Sequence, residues 1–179
     1  MSDPFRLRVL KAVSAKLKTI TVAGGYQHDL ADFTDSAGRT GQERVFRGRP
    51  DFGFSDPRPM ISILEHPGAI DQLLGTAAST SAKGDWALLI QGFVEDDPIH
   101  PTDPAHLLAA DVVKCLATEK RVNHENLFGF AYRKPCVLDI KIGSPIVRPW
   151  DEGISEVAYF FLAVTLTLSE DQENPFAQS

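Results

Sequence analysis

Four arginines, Arg39, Arg44, Arg47 and Arg49, fall within eleven residues, with Phe46, Phe52 and Phe54 interleaved and Arg58 close behind. Guanidinium groups fork onto carboxylates and phosphates and stack on aromatic rings, so this mixture suits contact with an acidic neighbour or another polyanion. Arginine rather than lysine, set beside aromatic residues, is also the composition of a protein interface. A solvated, mobile loop is the plain alternative, and the residue types leave both open.

The other groups with chemical potential do not form recognised constellations. His28, His66, His100, His106 and His124 lack the three- or four-residue spacing that puts ligands on one helical face. His28, Asp29 and Asp32 come nearest to a metal cluster, but on a strand Asp29 and Asp32 would point to opposite faces. His106, beside an apolar stripe, is expected to be partly exposed. Cys115 and Cys136 sit in apolar patterns and read as buried, reduced thiols, neither at a helix N-terminus that would activate it. No Gly-x-Ser-x-Gly elbow occurs. The small, polar connector 75–84 lacks the Gly-Lys-Ser/Thr ending of a phosphate loop, since Lys83-Gly84-Asp85 runs in the reverse order before a strand. Asp96-Asp97 and Asp151-Glu152 lie in Pro/Gly loops, where carboxylates are solvated by default. The expectation is a protein that is not an enzyme and uses no cofactor and no metal. The alternative is a small enzyme or ligand-binding domain built on His28, Asp29 and Asp32.

Charge is unevenly distributed. Of the formal net charge of -6, residues 1–58 carry a balance of +3 and residues 59–179 a balance of -9. The negative total argues against nucleic-acid binding through overall charge. The asymmetry suits self-association in which one face of a subunit meets a different face of the next.

At 179 residues the chain fits a single domain, 1–179, with a core that needs no metal or disulfide staple. No apolar run approaches the length of a membrane-spanning helix, and no apolar segment follows the basic N-terminal residues as in a secretory signal. Asp3 as N-cap and Pro4 at the first helical position open a helix whose stripe is Phe5, Val9, Val13 and Leu17, ended by Gly24-Gly25. Tyr26 to Phe33 reads as a short strand, and Thr34 to Arg58 as a long Arg-rich excursion of the kind that is functional or mobile. Pro59 to Leu64 is a strand closed by His66-Pro67-Gly68. Trp86 to Val94 is a strand apolar on both faces, which places it inside a sheet covered on both sides by helices, another layer or a partner subunit.

Asp103-Pro104 repeats the cap-plus-proline start, and the helix that follows carries the stripe Ala105, Leu108, Ala109, Val112 and Leu116. Cys136 to Ile142 alternates, with Cys136, Leu138, Ile140 and Ile142 inward. Pro145 to Pro149 reads as a connector. Glu156 to Leu168 is a strand with Ala158, Phe160, Leu162, Val164, Leu166 and Leu168 on one face, and Tyr159, Phe161, Thr165 and Thr167 on the other. A polar tail, about 169–179, is expected to fray. The fold class is α+β: a mixed, mainly antiparallel sheet with two packed helices.

The succession of elements resembles a known family. It runs from the opening helix Phe5-Arg6-Leu7-Arg8-Val9-Leu10-Lys11-Ala12-Val13 and the turn at Gly25-Tyr26 to the strand Pro59-Met60-Ile61-Ser62-Ile63. Trp86-Ala87-Leu88-Leu89-Ile90-Gln91-Gly92-Phe93-Val94 and an Asp-Asp-Pro turn follow, then Ala105-His106-Leu107-Leu108-Ala109-Ala110-Asp111-Val112 and a long closing strand. From about residue 4 to 170 the pattern is similar to the tail terminator, or tail completion (minor tail), proteins of long-tailed phages and prophages. The resemblance implies a virion assembly protein that forms a ring, usually a homohexamer, assembled in the bacterial host cytoplasm and lodged at the tail–neck junction. Such a ring would cap the tail tube protein, stop its polymerisation and present a surface to neck or head-completion proteins. Genome DNA would pass through the channel without specific binding, and no membrane would be involved. A head–tail joining or stopper protein is the nearest alternative. The excursion at 34–58 is longer than this pattern requires, and Arg39, Arg44, Phe46, Arg47, Arg49, Phe52, Phe54 and Arg58 are its candidate subunit or partner interface.

Overall fold

Both helices lie on one face of a six-stranded mixed sheet, which gives an α+β domain. The computed structural model describes residues 3–53, 55–65, 80–131, 135–149 and 157–177. The elements run α1 (Phe5–Leu17), β1 (Val45–Arg47), β2 (Met60–Glu65), β3 (Ser81–Glu95), α2 (Asp103–Val122), β4 (Cys136–Ile142), β5 (Ile146–Pro149) and β6 (Val157–Asp171). In the sheet the order is β1-β2-β3-β6-β4, with β5 also paired to β6. Among the described residues, β1 and β2 pair in parallel and the other pairings are antiparallel.

The apolar periodicities of the sequence account for the core. From α1, Phe5, Val9, Val13 and Leu17 are buried; from α2, Ala105, Leu108, Ala109, Val112 and Leu116. They meet Trp86, Leu88 and Ile90 of β3 and Phe160, Leu162, Val164 and Leu166 of β6. Fully burying one such side chain contributes roughly 1.5–3 kcal/mol. β3 and β6 pair along their whole length, from Ser81 opposite Asp171 to Glu95 opposite Val157, and form the spine of the sheet.

Several elements differ from the sequence reading. Tyr26 to Phe33 forms no strand; only Phe33 pairs, in an isolated bridge with Gln42. The excursion at 34–58 is not structureless, since Val45–Arg47 joins the sheet as its edge strand. Pro145 to Pro149 is not a mere connector but contains β5. Residues 81–84 of the supposed connector begin β3, because their pairing with Leu168–Asp171 outweighs a small, polar composition.

In β4 the alternation breaks at a bulge between Val137 and Asp139. Val137 and Ile140 face the core, and Leu138, expected inward, is only half-buried. The tail is not frayed at its start. β6 continues to Asp171, and the carbonyl of Pro175 accepts the otherwise unpaired N–H of Phe5 at 2.8 Å. Neither expected side-chain cap forms: Pro4 and Thr102 occupy the cap positions, and Asp3 instead pairs with Lys11. The closing turn at His66-Pro67-Gly68, connector residues 75–79, Asp151-Glu152 and the expected strand start at Glu156 lie outside the described residues.

Candidate interaction surface

The arginine segment folds back on its own sheet, and most of its charge is used there. Asp35 accepts from the N–H groups of Arg39 and Ala37 at 2.9 and 3.0 Å and pairs with the Arg39 guanidinium at 2.6 Å. The Arg39 N–H, outweighing burial, leads the interactions that hold the Asp35 carboxyl below its ordinary range. Phe33 and Gln42 exchange backbone hydrogen bonds of 3.0 Å, closing a short loop over 33–42. Arg44 donates to the carbonyl of Pro59 at 3.0 Å and stacks over Phe33 at 4.3 Å. Burial lowers the pKa of its guanidinium. Arg49 reaches both oxygens of Asp56 at 2.7 Å and covers the Phe46 ring at 4.8 Å.

The aromatic residues of the segment also turn inward. Phe46 and Phe52 pack against a small second core of Met60, Phe93 and Val157. The rings of Phe52 and Phe93 stand 4.1 Å apart. Phe54 lies outside the described residues. Of the eight candidate residues, Arg39, Arg44, Phe46, Arg49 and Phe52 are thus held by contacts within the chain. Arg47 is exposed on the edge strand and Arg58 half-exposed before the cis Pro59, and neither has an ion pair among the described residues.

The more informative surface is the sheet face opposite the helices. Side chains alternate along a strand, so the residues paired with Ser62, Leu64, Ala87, Leu89, Gln91, Phe161 and Ala163 share this face. Among the described residues, the second side of β3, expected to be covered by helices, another layer or a partner subunit, is covered from within the chain at one end. There Met60, Phe93 and Val157 are buried against Phe46 of β1 and Phe52 of the loop that follows it. Further along, Leu64, Leu89 and Phe161 are half-buried, Ala163 is exposed, and Ile146 of β5 is 54% exposed. At the opposite end the face turns polar: Asp85 accepts from Lys141 and Thr167 at 2.7 and 2.6 Å, and these two bonds hold its carboxyl below the usual range.

Between the loop and the sheet lies a groove of about 250 Å³ lined by Phe52, Phe93, Tyr159, Phe161, Gln91 and Asp51, among others. The Oε1 of Gln91 is buried and has no hydrogen-bond partner among the described residues. Sequence reasoning missed Gln91 as a functional candidate. The usable signal was the second face of the two spine strands, where Phe93, Tyr159 and Phe161 place aromatic rings outside the main core.

His28, Asp29 and Asp32 do not converge. Nδ1 of His28 lies 2.9 Å from Oδ2 of the buried Asp111, which also accepts from the N–H groups of Gln27 and His28 at 2.9 and 3.0 Å. Asp29 accepts from the N–H of Val22 at 3.0 Å. Asp32 pairs with Lys18 at 2.7 Å, and Glu43 does so at 2.9 Å. Burial pulls the Lys18 ammonium down, but the two carboxylates outweigh it and raise its pKa. His106 is exposed, as its position beside the stripe implied. Among the described residues no group of three or more His, Cys, Asp or Glu is placed to hold a metal ion. Cys115 and Cys136 are buried and not joined in a disulfide, and burial raises the pKa of Cys115 away from the reactive thiolate. No helix among the described residues is long and apolar enough to cross a membrane.

No protein-family model matches the sequence, and no curated protein matches it.

Proposed function

We propose that the chain is a virion assembly protein, a ring-forming tail terminator that caps a phage tail tube and offers its outer surface to the neck. One observation carries this reading: a sheet roofed by helices on one side and left with an apolar, incompletely covered face on the other. An apolar face that stays only half-buried suits contact with another protein, and in a self-assembling protein the contact is another protomer. The uneven charge along the chain supports it, because a head-to-tail contact brings two different surfaces of the same molecule together. A net-acidic subunit suits a channel through which DNA must slide, since a strongly basic lining would grip the phosphates.

In this reading the product of the molecule is geometry. Each subunit presents one surface to its neighbour, and the ring they close ends the tube. Electron micrographs of particles made without this protein should show tails of abnormal length or tails not joined to heads. Tails of normal length and attachment would rule the assignment out. Pulldown of tail tube protein, rather than portal adaptor protein, separates a terminator from a head–tail joining protein.

A further inference from the structure

We propose that Lys120 and Asp139 form a guard on the outer edge of β4, which keeps the same strand of a second copy of this chain from pairing there. The inference goes beyond the ring-forming reading, because it names a surface through which copies are kept from joining. Among the described residues the sheet ends at β1 on one side and at β4 and β5 on the other. The last strand of a sheet presents a row of unpaired N–H and C=O groups, a template on which another chain can pair.

Two of the three edges are short. β1 has three residues, and β5 has four and ends at Pro149, which has no N–H to give. β4, with seven, is the edge with length enough for a ladder. The N–H of Gly143, just past its end, donates to the carbonyl of Ala163 on β6 at 2.9 Å. In an antiparallel ladder the backbone groups of every second residue turn the same way, so those of Lys141 and Asp139 also turn toward β6. Those of Ile140 and Ile142 turn outward, and an incoming strand would have to bond them.

Both outward groups of Ile140 are already taken by side chains. Its N–H donates to Oδ1 of Asp139 at 2.8 Å, and its carbonyl accepts from Nζ of Lys120 at 2.7 Å. The two side chains also pair with each other at 2.9 Å, closing the guard over this one residue. Lys120 leads the interactions that hold the Asp139 carboxyl below its ordinary range. Because Lys120 stands in the last turn of α2, the helix layer supplies one half of the guard and β4 the other. The bulge between Val137 and Asp139 breaks the alternation beside it, which bends the edge away from a straight partner. A second strand would have to displace two charge-assisted hydrogen bonds before it made its own.

The test compares the full chain with Asp139→Ala, Lys120→Met and the double variant, by amide hydrogen exchange and by sedimentation velocity over a concentration series. In the parent the outward Ile140 amide should be protected even when dilute, and Asp139→Ala should speed its exchange about tenfold, the scale of one hydrogen bond. The double variant should form concentration-dependent species absent from the parent, with the amides of Ile140 and Ile142 gaining protection as those species form. Aggregation from lost surface charge alone would single out no such pair of amides. Side chains 47% and 43% exposed are replaced, so the variants should melt close to the parent. A double variant that shows the parent's species at every concentration overturns the proposal. So does a parent whose own assembly protects Ile142, because its edge is then open to pairing. Should the double variant not fold, Lys120→Met keeps the aliphatic stem and decides the matter, and unchanged species and exchange in it overturn the proposal. These readouts do not depend on whether the parent forms rings, so the guard and the ring-forming reading fail separately.

Discussion

The carboxylate of Asp111, in the middle of α2, is the anchor of His28: one oxygen meets both the ring Nδ1 at 2.9 Å and the backbone N–H at 3.0 Å. With the N–H of Gln27 as a third partner, the residue ties the 26–30 loop to the helix layer. A histidine and an aspartate that could have been read as a catalytic pair are therefore a staple. Asp111→Ala should cost about 3 kcal/mol, because it leaves backbone donors unpaired in a half-buried loop. Urea unfolding measures this, and a loss below about 0.5 kcal/mol would contradict the role.

Gly92 should tolerate no side chain. It is the register partner of Phe160, and a Cβ there would stand 2.0 Å from Cε1 of that fully buried ring. Gly92→Ala should lower stability by roughly 1–3 kcal/mol, despite the usual gain from replacing glycine in a strand. A melting temperature equal to that of the parent would show that the ring can move aside.

Acid should weaken the link between the helices through Glu119. This carboxylate is 3% exposed and meets Lys16 at 2.9 Å, Asn123 at 2.8 Å and the N–H of Phe128 at 2.8 Å. Burial alone would raise its pKa; Lys16 and the two hydrogen bonds outweigh burial and lower it. Because the folded value lies below the unfolded one, the stabilisation is complete above the ordinary glutamate range, about 4.3. It is lost as pH falls from there through the lowered folded value. Glu119→Gln should be less stable at neutral pH and show a flatter decline on acidification. Identical pH slopes for the two proteins would remove Glu119 from the account.

The elements that sequence made legible are those with long, regular apolar patterns. The stripes of α1 and α2 and the inward face of β6 were readable because burial on one side imposes a period that composition cannot hide. The misses have local causes. β1 and β5 are three and four residues long, too short for a period to show, and they exist through pairing with distant strands. The bulge at Leu138 shifts the inward face by one residue, which no alternation rule anticipates. At the candidate surface, the residue types of the arginine segment were visible but their partners were not. Asp35, Asp56 and the Pro59 carbonyl claim Arg39, Arg49 and Arg44, so the cluster is mainly a fastening within the chain.

That division predicts opposite behaviour for two arginines only two positions apart. Arg49→Glu sets a carboxylate against the largely buried Asp56 and should lower stability by roughly 1–3 kcal/mol. Arg47→Glu touches no described partner and should leave the melting temperature unchanged while weakening subunit association. Thermal melts beside sedimentation velocity separate the two effects. An Arg47→Glu protein with unaltered oligomers would remove that arginine from the interface.

The proposed function has identical subunits covering the open sheet face, and the mass of the native particle tests that directly. Native mass spectrometry of the purified chain, with and without tail tube protein, should reveal one closed species at a fixed multiple of the 19.6 kDa subunit. A ladder of open oligomers, or a monomer at every concentration in both conditions, would contradict the account.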